Sequence, residues 1–396
     1  MLVDNFSFSD AREYWKYAPS GLGKISTESL LSRNDEDFLN IITNHYNSRA
    51  SHYWEDVHLV KYFQNLFKGK KVLSFGSGIG HNEILFLEAG CYLTCADIVQ
   101  SNLDVISRVA ELKHLNTLST LFMEDSSETN FKGPYDYIYA RGSLHHMPFS
   151  LQKKTMENFV SALSDNGKII LNLYSSKFYE ATTPSGDPKE FAKVTDPSVN
   201  GLNNPWSEYY DDQKMLELCG DNLHIVNKQV WNNDYYIWWG LEKGKKITEE
   251  KVNTEFMDIF NAELKSLEII GTLQNNDFEL TGGNYVENEY VLTDISNYGY
   301  VMVSDTPILQ EVGNCVLNVI ETDISLVQGS VSIGILDIAK DTFIQSFQVL
   351  TSGRAFHYLP VACNLDDIRL VISNFSPDKE NQSHFKINNI SLCQKK

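Results

Sequence analysis

Residues 71–83 read KVLSFGSGIGHNE, an apolar run that enters Gly76, Gly78 and Gly80 and then an amphipathic stretch, HNEILFLEAG. Glycines at such a turn let the backbone come close to a ligand and aim helix N-terminal amides at it. A tight strand–helix turn with no ligand would read the same way, so the loop alone decides little. Two acids downstream narrow the reading. Asp97 ends the next apolar run, where its carboxylate can accept both hydroxyls of a ribose. The run after that ends in Glu124-Asp125-Ser126, where a carboxylate can accept a hydrogen bond from an adenine amino group. Their order predicts an adenosine-bearing ligand held by Gly76, Ser77, Gly78, Gly80, Asp97, Ile98, Asp125 and Ser126.

Working outward, residues 71–174 alternate short apolar runs (KVLSFG, CYLTCAD, LSTLFMED, YDYIYA, KIILNLY) with amphipathic stretches, the pattern of a parallel sheet wrapped by helices. The expected fold class is α/β, a doubly wound Rossmann-like core. The glycine spacing is G-x-G-x-G, with His81 where a dinucleotide fingerprint has its third glycine, and no Lys-Ser/Thr pair follows as in a P-loop. The compact spacing fits a ligand without a pyrophosphate and disfavours a dehydrogenase.

The chain has 396 residues, 33 Lys+Arg and 52 Asp+Glu, for a formal net charge of −19. Such a surface repels phosphate backbones, so neither nucleic acid nor an anionic membrane surface is an expected partner. The amino-terminal sequence shows no signal-peptide pattern and no run is long enough to span a bilayer, which predicts a cytoplasmic protein. Six scattered cysteines read as structural thiols. Cys91 and Cys95 lack the neighbouring ligands a zinc site needs, so no metal is expected.

Residues 70–174 resemble the class I S-adenosylmethionine-dependent methyltransferases. The motifs are VLSFGSGIG (72–80), TCADI (94–98), MEDSSE (123–128), YDYIYARGSLHHMP (135–148) and LSDNGKIILNLY (163–174). The resemblance implies S-adenosyl-L-methionine as cofactor, with the main chain around Ala140 and Arg141 at its methionine end. It also implies that Tyr46, in a helical segment before the core, reaches the cofactor's carboxylate. One departure stands out: the family usually has Asp or Glu where this chain has Ser74, so either cofactor affinity is weaker or another acid compensates.

Methyl transfer mainly needs alignment, and a hydroxyl acceptor also needs a base. His145 and His146, after the fourth apolar run, are the candidates, His145 first; a packing role for both is the alternative. Aromatic residues Tyr14, Trp15, Tyr17, Trp206, Tyr209, Tyr210, Trp231, Tyr235, Tyr236, Trp238 and Trp239 are expected to cover the sheet, as acceptor pocket or as core. Glu208, Asp211 and Asp212 read as a solvated helix N-terminus rather than a metal site.

The organisation expected is a helical cap over 1–69, a core over 70–245 with a loop-like lid around 175–210, a helical connector over 246–275, and a β-sandwich over 276–396. The last segment weakly resembles jelly-roll carbohydrate-binding modules, with His357, Tyr358, Tyr298 and Tyr300 as aromatic candidates; a structural or homodimerising role fits the same pattern. Together these readings predict O-methylation of a sugar or glycoconjugate hydroxyl. The rivals are N- or C-methylation of a small metabolite, or an inactive fold serving a glycan-binding module.

Overall fold

In the computed structural model, the described residues are 6–19, 25–50, 59–183, 185–196, 198–231, 235–244, 267–286, 290–294, 300–304, 316–349, 352–375 and 382–395. The chain opens with helices α1 (Phe8–Trp15), α2 (Thr27–Leu31), α3 (Asp35–Ala50) and α4 (Val60–Phe67). Ser7 and Ser26 cap the first two by accepting amide hydrogens of the opening turn. Residues 51–58, which include Tyr53, Trp54 and Val57 of the expected cap, lie outside the described set.

The core then alternates β1 (Lys71–Phe75), α5 (Glu83–Glu88), β2 (Tyr92–Asp97), α6 (Gln100–Leu112), β3 (Leu118–Phe122), β4 (Tyr135–Arg141), α7 (Phe149–Ala162) and β5 (Leu163–Tyr174). Helices α8 (Ser176–Thr182), α9 (Pro188–Thr195) and α10 (Asp212–Cys219) follow, then β6 (Leu223–Trp231) and β7 (Tyr236–Lys243). The sheet order is β3-β2-β1-β4-β5-β7-β6, with β7 antiparallel to both neighbours and the other pairs parallel. Every β1 residue after Lys71 is buried, as a central parallel strand covered on both faces requires.

One face packs on Phe38, Ile42, Val60, Phe63 and Phe67 of the cap together with α5 and α6. The other packs on Ala11 of α1, Met156 and Phe159 of α7, and Met215 and Leu218 of α10. The sheet is therefore doubly wound, with β1 and β4 diverging at its centre. Ligands collect at that switch point, outside the strand carboxyl ends.

Two expectations are corrected. Residues 175–206 are not a structureless loop, because α8 and α9 form within them. Ser175 caps α8 through the Phe178 amide, and Asp187 caps α9 through the Lys189 amide with Pro188 opening the helix. The connector helix expected over 246–275 gives way by Leu267, where LEIIGTL forms strand β8 (Leu267–Leu273); its earlier positions lie outside the described residues. Adjacent β-branched Ile269 and Ile270 favour the strand once β18 offers a pairing edge.

The remaining strands are β9 (Phe278–Leu280), β10 (Asn284–Tyr285), β11 (Val291–Leu292), β12 (Tyr300–Ser304), β13 (Val316–Gln328), β14 (Val331–Asp337), β15 (Thr342–Val349), β16 (Gly353–Asn364), β17 (Ile368–Asn374) and β18 (His384–Lys395). They make two antiparallel sheets, β10-β11-β18-β13-β16 with β8 on β18, and β15-β14-β17-β12-β9. Ile320, Ile324 and Leu392 from one sheet and Ile333, Leu370 and Ile372 from the other share one apolar cluster. Phe375, just after β17, is buried in a separate cluster with Tyr174, Phe178, Tyr179 and Phe191 of the core. No helix among the described residues is long and apolar enough to cross a membrane.

Candidate active site

Gly76, Gly78 and Gly80 all take positive φ, at 65°, 53° and 79°. A Cβ on Gly76 would sit 2.3 Å from Ser143 Cβ, whose hydroxyl in turn donates to the Phe75 carbonyl at 2.7 Å. No other residue type both adopts that backbone and clears that neighbour. The loop is held from the β2 side: Asp97 accepts from the Gly78 amide at 2.8 Å through one oxygen, and through the other from the Val99 amide at 2.8 Å and Asn102 Nδ2 at 3.3 Å. Burial nevertheless pushes the Asp97 carboxyl up to about 6, against these hydrogen bonds.

A cavity of about 510 Å³ opens at this point. Gly76, Ser77, Gly78, Asp97, Ile98 and Arg141 line its near end. Tyr14, Trp15, Tyr174, Tyr235, Tyr236 and Trp238 enclose it, with His146 and Asp196 also on its wall. Asn82 and Asn102 line it, and the buried amide oxygen of each has no hydrogen-bond partner among the described residues. Orphaned buried acceptors beside a glycine loop are what a bound polar ligand would satisfy. The donor set of amides, carboxylates and aromatic faces fits a nucleoside joined to a cationic, zwitterionic tail.

Five of the expected contacts fall elsewhere. Tyr46 gives its hydroxyl to the Ile79 carbonyl and lies beside a smaller neighbouring cavity. Gly80 is outside the lining; a Cβ there would meet Ile106 of α6 at 2.8 Å, so this glycine serves helix packing. Asp125 spends one carboxylate oxygen on its own turn, accepting from the Ser127 amide at 2.8 Å and hydroxyl at 2.7 Å. Ser126 is fully buried against Met147, 3.6 Å from its sulfur. From this strand end it is Met123 that reaches the cavity.

The fifth is His145. It is fully buried and absent from the lining, its ring lies 4.2 Å from that of His146 and 4.4 Å from that of Tyr174, and neither ring nitrogen has a hydrogen-bond partner among the described residues. Desolvation and the neighbouring imidazole hold it well below the usual histidine range.

His146 faces the cavity instead, with the Trp15 ring 4.6 Å away. Its Nδ1 lies 3.0 Å from Asn204 Nδ2, 3.2 Å from Ser207 Oγ and 3.3 Å from the Trp206 carbonyl, so either tautomer finds a partner. Asp196 Oδ2 is 3.8 Å from the same nitrogen. Burial lowers the His146 pKa more than Asp196 raises it, so the two are not an ion pair at neutral pH. Asp196 is instead held by Thr195 Oγ1 at 2.8 Å and Asn204 Nδ2 at 2.9 Å.

A carboxylate lies beside Ser74. The Ser74 hydroxyl donates at 2.6 Å to Glu83 Oε1, and both residues line the cavity. Burial raises the Glu83 carboxyl, and the Ser74 hydrogen bond and the Arg141 charge oppose that rise. The sequence offered one hint: Asn82-Glu83 follows directly on the glycine loop.

The remaining aromatics divide. Trp206, Tyr210 and Trp239 are buried in the core cluster and Tyr17 lies outside the cavity. The Trp231 side chain lies outside the described set. Glu208 accepts from Trp206 Nε1 at 2.8 Å and pairs with Lys214, Asp211 caps α10, and Asp212 pairs with Lys228, which occupies all three acids. In the β region, His357 is a core residue stacked on Phe347 at 4.2 Å, its pKa lowered to about 3 by burial. Tyr300 is 47% exposed, edge-on to Phe343, itself 45% exposed. Tyr298 and the Tyr358 side chain lie outside the described residues.

Residues 46–221, just under half of the chain, match a family model described as a methyltransferase domain. No curated protein matches the chain. Among solved structures, an S-adenosylmethionine-dependent methyltransferase from Clostridium acetobutylicum is 15% identical, covering 52% of this chain and 98% of its own, with a TM-score of 0.40. Magnesium protoporphyrin IX methyltransferase from Synechocystis, with bound S-adenosylhomocysteine, is 15% identical over 60% of this chain and 100% of its own, TM-score 0.42. A methyltransferase from Streptomyces caelestis is 12% identical over 49% and 92%, TM-score 0.41.

Proposed function

We propose that residues 46–221, which match a methyltransferase domain, work as a class I S-adenosylmethionine-dependent methyltransferase, and that the chain methylates a hydroxyl of a small ring-bearing acceptor, a sugar or glycoconjugate. The observation that carries this reading is His146, a neutral imidazole on the wall of the aromatic cavity. When bound, the cofactor supplies a methyl group on a positively charged sulfur. The aromatic walls stack the acceptor and exclude water. His146 takes the proton leaving the acceptor oxygen, and Asn204, Ser207 and the Trp206 carbonyl fix the orientation of its ring. Arg141, at the end of β4, lines the same cavity and is the residue assigned here to the cofactor's methionine end.

The test is S-adenosylhomocysteine release over a panel of sugar, phenol and amine acceptors. Turnover of a hydroxyl acceptor that falls about 100-fold in His146→Ala supports the reading. Turnover that survives the change overturns it.

One observation favours an amine acceptor as a second reading. Asp196 places a carboxylate among the Trp15, Tyr174 and Tyr235 side chains that share the cavity, a setting that suits an ammonium. Asp196→Asn then raises KM for amine acceptors by more than about 10-fold and leaves hydroxyl acceptors within about threefold. For the β region, the exposed Tyr300–Phe343 pair supports glycan recognition. Loss of glycan retention in the Tyr300→Ala/Phe343→Ala double variant is the corresponding test.

A further inference from the structure

At the β1 end of the cavity, Ser74, Asn82, Glu83 and Arg141 share one wall. Glu83 is 6% exposed, and a carboxylate that deep is costly unless something compensates its charge. The Ser74 hydroxyl supplies one hydrogen bond at 2.6 Å. Next to it in sequence, Asn82 donates through Nδ2 to the Tyr139 hydroxyl at 3.1 Å, while its Oδ1 is buried with no partner among the described residues. Arg141 is close enough for its charge to act on Glu83. Asp97, the other acid at this end, already accepts from two backbone amides and Asn102. Asp196 lies beside His146 at the aromatic part of the cavity.

A buried carboxylate and an orphaned amide oxygen in one cavity with a guanidinium are the complement of an α-amino acid zwitterion: acceptors for its ammonium, a cation for its carboxylate. We propose that Glu83 is the carboxylate that receives the ammonium of the cofactor's aminoacyl end, carrying from the start of α5 the charge that Ser74 lacks. The Ser74 hydroxyl holds Oε1 in place, and Asn82 Oδ1 accepts a further ammonium hydrogen. The inference rests on the reading that this cavity holds S-adenosylmethionine.

The experiment is calorimetric titration of the full chain with three probes. These are S-adenosylhomocysteine, its analogue without the α-amino group, and 5′-methylthioadenosine, which lacks the whole aminoacyl end. In the wild type, removing the amino group weakens binding at least 10-fold. In Glu83→Gln, S-adenosylhomocysteine weakens by a similar factor, 5′-methylthioadenosine stays within about twofold, and the amino group no longer matters. Adding Ser74→Asp to Glu83→Gln restores S-adenosylhomocysteine binding. Equal loss of all three probes in Glu83→Gln, or no loss of any, overturns the proposal. A wild type indifferent to the amino group also overturns it, and that arm needs no variant to fold. A wild type that binds none of the probes defeats the cofactor reading itself.

Discussion

The carboxylate of Asp97 reaches back from the end of β2 to accept the Gly78 amide at 2.8 Å, so the acid that follows the glycine loop also shapes it. Its second oxygen closes a turn onto Val99 at 2.8 Å. The loop is thereby held open by a charge that burial resists.

That resistance has a signed consequence. Asp97 moves from 3.8 unfolded to about 6 folded, so the native state binds its proton more tightly. Stability from this group is present below pH 3.8 and is lost as pH rises to about 6, on the order of 3 kcal/mol in total. Thermal melts across that window should show the wild type losing stability relative to Asp97→Asn as pH rises. A parallel pair of curves would contradict the assignment.

The adjacent histidines should respond in opposite ways. His145→Phe removes two buried nitrogens without partners among the described residues, and should melt at or above the wild type with turnover within about threefold. His146→Ala should lose about 100-fold in kcat while S-adenosylhomocysteine binding stays unchanged. Because the His146 pKa is lowered in the fold, the acid limb of its kcat profile should fall below 6.5. Acidification through 6.5 should also destabilise the wild type relative to His146→Ala, since the unfolded imidazole takes up the proton first.

Two glycines separate crowding from backbone strain. Gly76→Ala meets Ser143 Cβ at 2.3 Å and a φ of 65°, whereas Gly142→Ala has φ 60° and no atom within 4 Å. Denaturant titration should show about 1–2 kcal/mol lost at Gly142 and clearly more at Gly76. Equal losses would mean that Ser143 moves aside freely.

Phe375 ties the β region to α8 and α9, buried among Phe178, Tyr179 and Phe191. Phe375→Ala should cost about 3 kcal/mol. Hydrogen exchange should speed up in α8 and α9 and not in β1 or β2. Unchanged exchange in α8 and α9 would show that their packing is independent of this ring.

The order of strands and helices from Lys71 to Tyr174 was legible in the sequence because it rests on local quantities: apolar period, glycine conformation, and the distance along the chain from Gly80 to Asp97. The resemblance marked Ser74 as a place where an acid is usual, but not which carboxylate lies beside it. Glu83 meets Ser74 only because the loop folds back as α5 begins, a matter of backbone path. His145 and His146 are neighbours of the same type, and which one faces the cavity depends on Tyr174, Trp206 and Asn204, brought in from later in the chain. Asp125 looked open to a ligand, and one of its carboxylate oxygens is taken by its own turn through Ser127. Period and spacing are properties of a segment and survive without the rest of the molecule. The direction of a single side chain is set by whatever packs against it, and only the tertiary structure decides that.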